Sequence, residues 1–164
     1  MRTATAGITV LLCLLLGACG FQLRGLAQTP NLDSLALSGG SSQLRFGLED
    51  RLQDMDILVH NEAPYRLVIS DEDWNRRTGA VDRQGRQAEL ELRYQLRWHL
   101  EDRHSGAMLS PSQRLVAMRT FAYFPDNATA SSDEEQLVRA DLYEDLIARL
   151  INQLARVSQD LERH

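Results

Sequence analysis

Between Leu90 and Leu100 every second residue is large and apolar: Leu90, Leu92, Tyr94, Leu96, Trp98 and Leu100. The residues between them are Glu91, Arg93, Gln95, Arg97 and His99. A period of two sends successive side chains to opposite faces, so this segment is a strand with one dry face and one wet face. A helix would scatter the same residues around its circumference. Eleven positions at ~3.3 Å each reach about 35 Å, long for a domain of this size. Such a strand needs antiparallel neighbours and an apolar layer over its dry face.

The flanking segments supply both. Tyr65, Leu67 and Ile69 alternate, and that run continues toward Val81, with Gln84-Gly85 as the tip of a hairpin into the long strand. A turn at His104-Ser105-Gly106 leads to Leu115 to Phe124, where Leu115, Ala117, Phe121 and Tyr123 share one register. Pro111 puts the start of that segment at an edge or bulge, and Pro125-Asp126-Asn127 closes it. Shorter strands are expected at Phe21 to Arg24, Leu35 to Leu37 and Ile57 to Val59. A first helix starts at Ser41 or Ser42 and carries Leu44, Leu48, Leu52 and Met55 on one stripe, ending near Asp56. Ser132 and Glu135 have the spacing of a capping box for a second helix. Tyr143, Leu146, Ile147, Leu150, Ile151, Leu154 and Val157 form its apolar face, with Glu144, Asp145, Arg149, Gln153, Arg156 and Gln159 opposite. The expected fold class is α+β, two helices packed on one face of a largely antiparallel sheet.

The N-terminus reads as a processing signal. Arg2 precedes an apolar run from Ile8 to Leu16. A spanning helix needs about 20 apolar residues, and this run is shorter. It ends in Leu16-Gly17-Ala18-Cys19, the pattern of a bacterial lipobox. The expectation is a signal peptide at 1–18 and one domain at 19–164. Cys19 then becomes the first mature residue, with an S-diacylglyceryl thioether and an N-acyl chain such as palmitate. Cys13, the other cysteine, leaves with the signal, so no disulfide can form. Two or three acyl chains make a stable anchor. Gly20, where inner-membrane retention would place Asp, favours the periplasmic face of the outer membrane.

Composition excludes several function classes. The chain is 43% hydrophobic and 25% charged, as ordinary globular proteins are. Its 18 basic residues, all Arg, face 23 acids for a net charge of -5, the wrong sign for general nucleic-acid binding. No nucleophile elbow, phosphate loop, zinc-protease helix or CxxC pair occurs. The histidines are His60, His99, His104 and His164. His99 and His104 bracket Glu101 and Asp102 but straddle a turn, which reads as a solvated hairpin end. Asp71 with Asp73, and Glu89 with Glu91, are neighbours on a wet strand face rather than facing carboxylates in a cleft. The expectation is a protein without catalytic residues, metal or cofactor.

Charge distribution is more informative than its sum. From Arg76 to Arg86 the chain carries Arg76, Arg77, Arg83 and Arg86 against Asp82, a local excess of three. Arg93 and Arg97 extend it along the next strand. Guanidinium groups match phosphate oxygens in bidentate geometry. On a lipid-anchored periplasmic protein the available polyphosphates are lipid headgroups. A solvated hairpin balanced by Glu89 and Glu91, or a contact with a partner protein, fits the same pattern.

The mature start, Cys19-Gly20-Phe21-Gln22-Leu23-Arg24, resembles that of the lipopolysaccharide-assembly lipoproteins of the LptE (RlpB) family. The resemblance continues through Arg83-Gln84-Gly85 with Ala88-Glu89, Arg119-Thr120-Phe121, and Asp141-Leu142-Tyr143-Glu144 leading to Leu150. It implies two helices on a four-stranded sheet. It also implies a role as plug partner of the outer-membrane β-barrel LptD, assisting barrel assembly and binding lipopolysaccharide for delivery to the outer leaflet. Arg83 matches a basic position of the family implicated in binding lipid A phosphates. A second basic position falls at Ser131-Ser132-Asp133, where this chain has no cation; Arg86, Arg76 or Arg77 are the substitutes within reach. The alternative is an accessory outer-membrane lipoprotein of another envelope complex, without lipopolysaccharide binding.

Loss of Arg2 leaves 17 Arg against 23 acids, and no Lys. N-acylation of Cys19 would remove the last primary amine. The mature protein is therefore expected to resist amine-reactive labelling. Label found on the purified outer-membrane form would contradict either the cleavage or the third acyl chain.

Overall fold

The long alternating strand is the middle of the structure, a computed structural model that describes residues 30–164 apart from 125, 162 and 164. The expected signal, Cys19, the strand at Phe21 to Arg24 and His164 lie outside the described residues. The elements run β1 (Ser34–Gly39), α1 (Ser42–Gln53), β2 (Leu58–Val59), β3 (Tyr65–Val81), β4 (Gln87–Asp102), β5 (Gln113–Ala122) and α2 (Ala128–Leu161). They form one sheet in the order β2-β1-β3-β4-β5. β4 pairs antiparallel with β3 and β5 along almost its whole length.

The sheet differs from the expected four-stranded, largely antiparallel one. It has five strands and is mixed, because β1 runs parallel to both β2 and β3. Parallel neighbours require a crossover, and α1 supplies the one between β1 and β2. A two-residue edge strand has no period from which its direction could be read.

All six inward residues of β4 are at most 4% exposed. They share one core with Leu44, Leu48 and Leu52 of α1 and with Leu142, Leu146, Ile147, Leu150, Ile151 and Leu154 of α2. Both helices therefore cover the same sheet face. Gly47 sits where the helices approach: a Cβ there would stand 2.7 Å from Ile147 Cδ1. Gln153, expected on the solvent side of α2, instead accepts a hydrogen bond from the Trp98 indole at 2.9 Å. A buried N–H needs a partner, and the long amide reaches it from the flank of the helix.

β1 ends at Gly39 opposite Ile69, and β3 then bulges between Ser70 and Asp73. Asp71 takes φ 51° there. The bulge re-aims Glu72. Its carboxylate accepts from the Ser41 backbone N–H, from Ser41 Oγ at 2.7 Å and from the Tyr94 hydroxyl at 2.7 Å. Ser41 in turn caps α1 by accepting from Leu44 N at 3.3 Å. Burial first, then the Glu72 carboxylate, pushes the Tyr94 phenol far above its usual range. Trp74 stacks on Tyr94 at 4.2 Å, and Tyr143 meets both rings edge-on.

The second helix starts earlier than the Ser132–Glu135 spacing predicts. Asn127 caps it, its Oδ1 accepting from Ala130 N at 3.1 Å. Ser131 lies inside the first turns, buried, and bonds back to the Phe124 backbone. Glu135 reaches Arg139 and Arg76 instead of a cap.

Glu72→Ala would leave three donors around the bulge without their acceptor. The expected loss is about 2–4 kcal/mol of unfolding free energy, measured by denaturant titration. A change within ~0.5 kcal/mol would show that the bulge does not brace α1.

Candidate functional site

The β3–β4 hairpin continues past the end of β1, which pairs with β3 only from Arg66 to Ile69. Its tip is a turn fixed by Asp82. Asp82 Oδ1 accepts from the backbone N–H of Gln84 and of Arg86, each at 2.9 Å, and Oδ2 accepts from Arg86 Nε at 2.9 Å. Gly85 supplies the left-handed residue, φ 77°. The bond from the Arg86 backbone is the main reason the Asp82 carboxyl is held below its ordinary range.

The four predicted arginines all lie on this hairpin, but three are engaged. Arg86 pairs with Asp82 and approaches Asp126 at 3.6 Å. Arg77 grips Glu91 with two hydrogen bonds, at 2.8 and 3.0 Å. Arg76 crosses to Glu135 of α2 at 3.1 Å. Arg83, exposed at the tip, makes no ion pair among the described residues. The local excess of three charges is thus partly neutralised: Glu91 balances the hairpin as its position in the sequence suggested, while Glu135 and Asp126 reach it only through the fold. Side chains of Arg76, Arg77 and Arg86 nonetheless remain 58%, 66% and 55% exposed. Their carboxylate partners are more covered, at 18%, 19% and 25%, so the guanidinium edges left to water, rather than displaced carboxylates, are what an incoming phosphate can meet. Further along β4, Arg97 pairs with Asp71 at 3.4 Å. Arg93 keeps a buried Nε without an acceptor.

Two clefts adjoin the hairpin. One, about 570 Å³, lies between Arg86, Phe124, Asp126, Asn127 and Ala130. The other, about 260 Å³, is lined by Arg76, Arg77, Thr78 and Leu90. Gln87 and Tyr123 border both, so the clefts meet across them. Gln87, Tyr123, Phe124 and Asp126 were not singled out as site residues by the sequence. The only signal there was the aromatic pair following the β5 register. Ser131-Ser132-Asp133 brings no cation to this end. A cleft of about 430 Å³ near Asn31, Tyr65 and Leu161, at the opposite end of β3, has no Arg in its lining. Among the described residues no three His, Cys, Asp or Glu side chains could hold a metal ion, and no helix is long and apolar enough to cross a membrane.

The arrangement suits an anion-binding end, with one guanidinium unpaired among the described residues, three paired but half-exposed ones and two aromatic rings. Comparison with known proteins bears on the identity of the domain that presents it. A family model described as "LptE: Lipopolysaccharide-assembly" matches residues 31–154. The solution structure of an uncharacterized lipoprotein B from Nitrosomonas europaea is similar, with TM-score 0.71 and 23% identity over 88% of this chain and 97% of that one. The rare lipoprotein B of Shewanella oneidensis gives TM-score 0.68 and 21% identity, covering 79% of this chain and 98% of that one. A minor lipoprotein from Acinetobacter baumannii gives 0.56 and 23%, covering 80% and 94%. No curated protein sequence matches significantly.

One ion-pair network here has a pH signature. Burial pushes the Glu135 carboxyl up, but hydrogen bonds from Arg139 and Arg76 outweigh it and hold it below the ordinary 4.5. A depressed carboxyl stabilises the fold above its unfolded-state pKa, and that stability fades as pH falls through the folded value. Glu135→Gln is therefore expected to flatten the decline in stability below about pH 4.5 without changing its slope near neutrality. An acid limb identical to wild type would remove this network from the stability account.

Proposed function

The chain belongs to the LptE family of lipopolysaccharide-assembly proteins, and from that premise we propose that its hairpin end binds the phosphates of lipid A. The observation that carries this reading is Arg83, an unpaired guanidinium at an exposed turn, flanked by three arginines that are paired yet more than half exposed. A phosphate arriving there meets bidentate donors. The reading extends to the whole protein. Residues 1–18 are a signal peptide, and 19–164 are a single mature domain. Cys19 carries the acyl anchor that holds it to the periplasmic side of the outer membrane. As a plug partner of the LptD β-barrel it assists barrel assembly and passes lipopolysaccharide toward the outer leaflet. It acts by binding and needs no catalytic group or cofactor.

Two measurements test this. Arg83→Glu is expected to weaken lipopolysaccharide binding roughly tenfold or more, with the circular dichroism and unfolding midpoint unchanged, because the side chain supports nothing in the fold. Unchanged binding would falsify the contact. The Cys19-lipidated protein, purified from outer membranes in mild detergent, is expected to bring an LptD-sized barrel with it by mass spectrometry. Recovery without any barrel would favour an accessory lipoprotein of another complex.

A further inference from the structure

Of the two outermost strands of the sheet, β2 has two residues and β5 has ten. A long outer strand offers a row of backbone groups to any strand that comes alongside. Which groups these are follows from the pairing with β4. Just past the end of β5, the Tyr123 N–H donates to Ala88 O at 2.9 Å. Antiparallel alternation then turns the odd-numbered residues of β5 toward β4 and the even-numbered ones outward. Two outward carbonyls in the middle of the strand are capped by guanidinium groups. Arg149 of α2 donates from Nη1 to Val116 O at 3.3 Å, and Arg119 donates from Nη1 to Met118 O at 3.0 Å.

The caps are held from behind. Arg149 grips Asp145 through two hydrogen bonds, at 2.8 and 2.7 Å. Arg119 donates to Asp141 at 2.8 Å and reaches Asp145 at 3.7 Å. One carboxylate thus joins both guanidinium groups along the edge. We propose that this clamp keeps β5 from pairing with the β5 strand of a second copy of the chain. The strand is suited to such pairing. A two-fold antiparallel register centred on Met118 sets Met118 against Met118, Val116 against Thr120 and Leu115 against Phe121. Arg114 then faces Ala122 and Arg119 faces Ala117, so no like charges stand opposite each other. Both capped carbonyls are acceptors in that register. Centring it on Arg119 would instead oppose two guanidinium groups. Two large apolar side chains also stand open on this side, Met118 at 49% and Leu137 at 69%, the latter one turn before Asp141. The clamp answers that exposure by occupying the backbone acceptors that pairing needs.

The test is disulfide cross-linking of the full mature protein in mild detergent, with Met118→Cys as the reporter and the parent protein without an added cysteine as background. Directly opposed residues of a hydrogen-bonded antiparallel pair have Cα atoms about 5.5 Å apart, within reach of a disulfide. Adding Arg119→Ala and Arg149→Ala is expected to raise the rate of dimer formation roughly tenfold, the worth of one or two backbone hydrogen bonds. Val116→Cys in the same open background should cross-link no faster than with the clamp intact, because in this register it faces Thr120 of the other copy. The product should stop at the dimer, since a two-fold contact uses up the long edge of each copy. Circular dichroism checks that the open protein keeps its fold. If it does not, Asp145→Asn removes the shared carboxylate and leaves both arginines, and it should raise dimer formation in the same direction. Equal rates with the clamp intact and with it opened overturn the proposal. So do equal rates from Met118→Cys and Val116→Cys, which would mean collision without register. Ladders above the dimer also overturn it, since they would mean association through other surfaces.

Discussion

The inward row of β4 has to be removed from water along its whole length, and no single element is able to do that. Leu90 and Phe121 close one end, and Leu100 approaches the β1 side at the other. Each fully buried large side chain contributes about 1.5–3 kcal/mol, so an uncovered stretch would be costly. α2 spans roughly 50 Å at 1.5 Å per residue, which lets one helix lie along most of the row. The shorter α1 fills the remainder beside it, drawn close by Gly47. Two members of the row also carry polar atoms, and these fix finer details. Trp98 needs Gln153, which sets the rotation of α2. Tyr94 needs Glu72, which the β3 bulge delivers and which also holds Ser41 at the start of α1.

The same constraint leaves the far end of the hairpin unlike the rest. Past the end of β1 the strands have fewer neighbours, and the apolar row gives way to arginines. Ion pairs take over there as the organising contacts, through Arg76 to Glu135, Arg77 to Glu91 and Arg86 to Asp82. These contacts position the guanidinium groups without tying them down, since water already competes for them. A stiff core thus presents a polar, half-exposed tip. Tyr123 and Phe124, just beyond β5, add aromatic surface to that tip.

Alternation made β4 readable from the sequence, and with it β3, β5 and the apolar stripes of both helices, since periodicity records burial directly. Ser41 was legible as a cap because its side chain acts locally. The start of α2 was not. Ser132 and Glu135 have cap-like spacing, yet Asn127 comes first after the strand and takes the role, freeing Glu135 for a residue 59 positions away. The parallel pairings of β1 were hidden for a similar reason: a short strand's direction is decided by the crossover and not by its own residues. At the site, the arginine cluster was visible as a charge pattern, and so was its balance by Glu91, but the rest of its neutralisation was not. Glu135 and Asp126 reach it only through the fold. Gln87 and Tyr123 carried no signal, because they join the site only where the two clefts meet.

The central claim is that ligand recognition is confined to the hairpin end while the helix-covered core only supports it. Hydrogen–deuterium exchange of the mature protein with and without lipopolysaccharide measures this directly. The account predicts slowed exchange at 76–88 and 121–127, with α1 and the C-terminal half of α2 unchanged. Protection centred on α1, or on the opposite end around Asn31 and Tyr65, would contradict it.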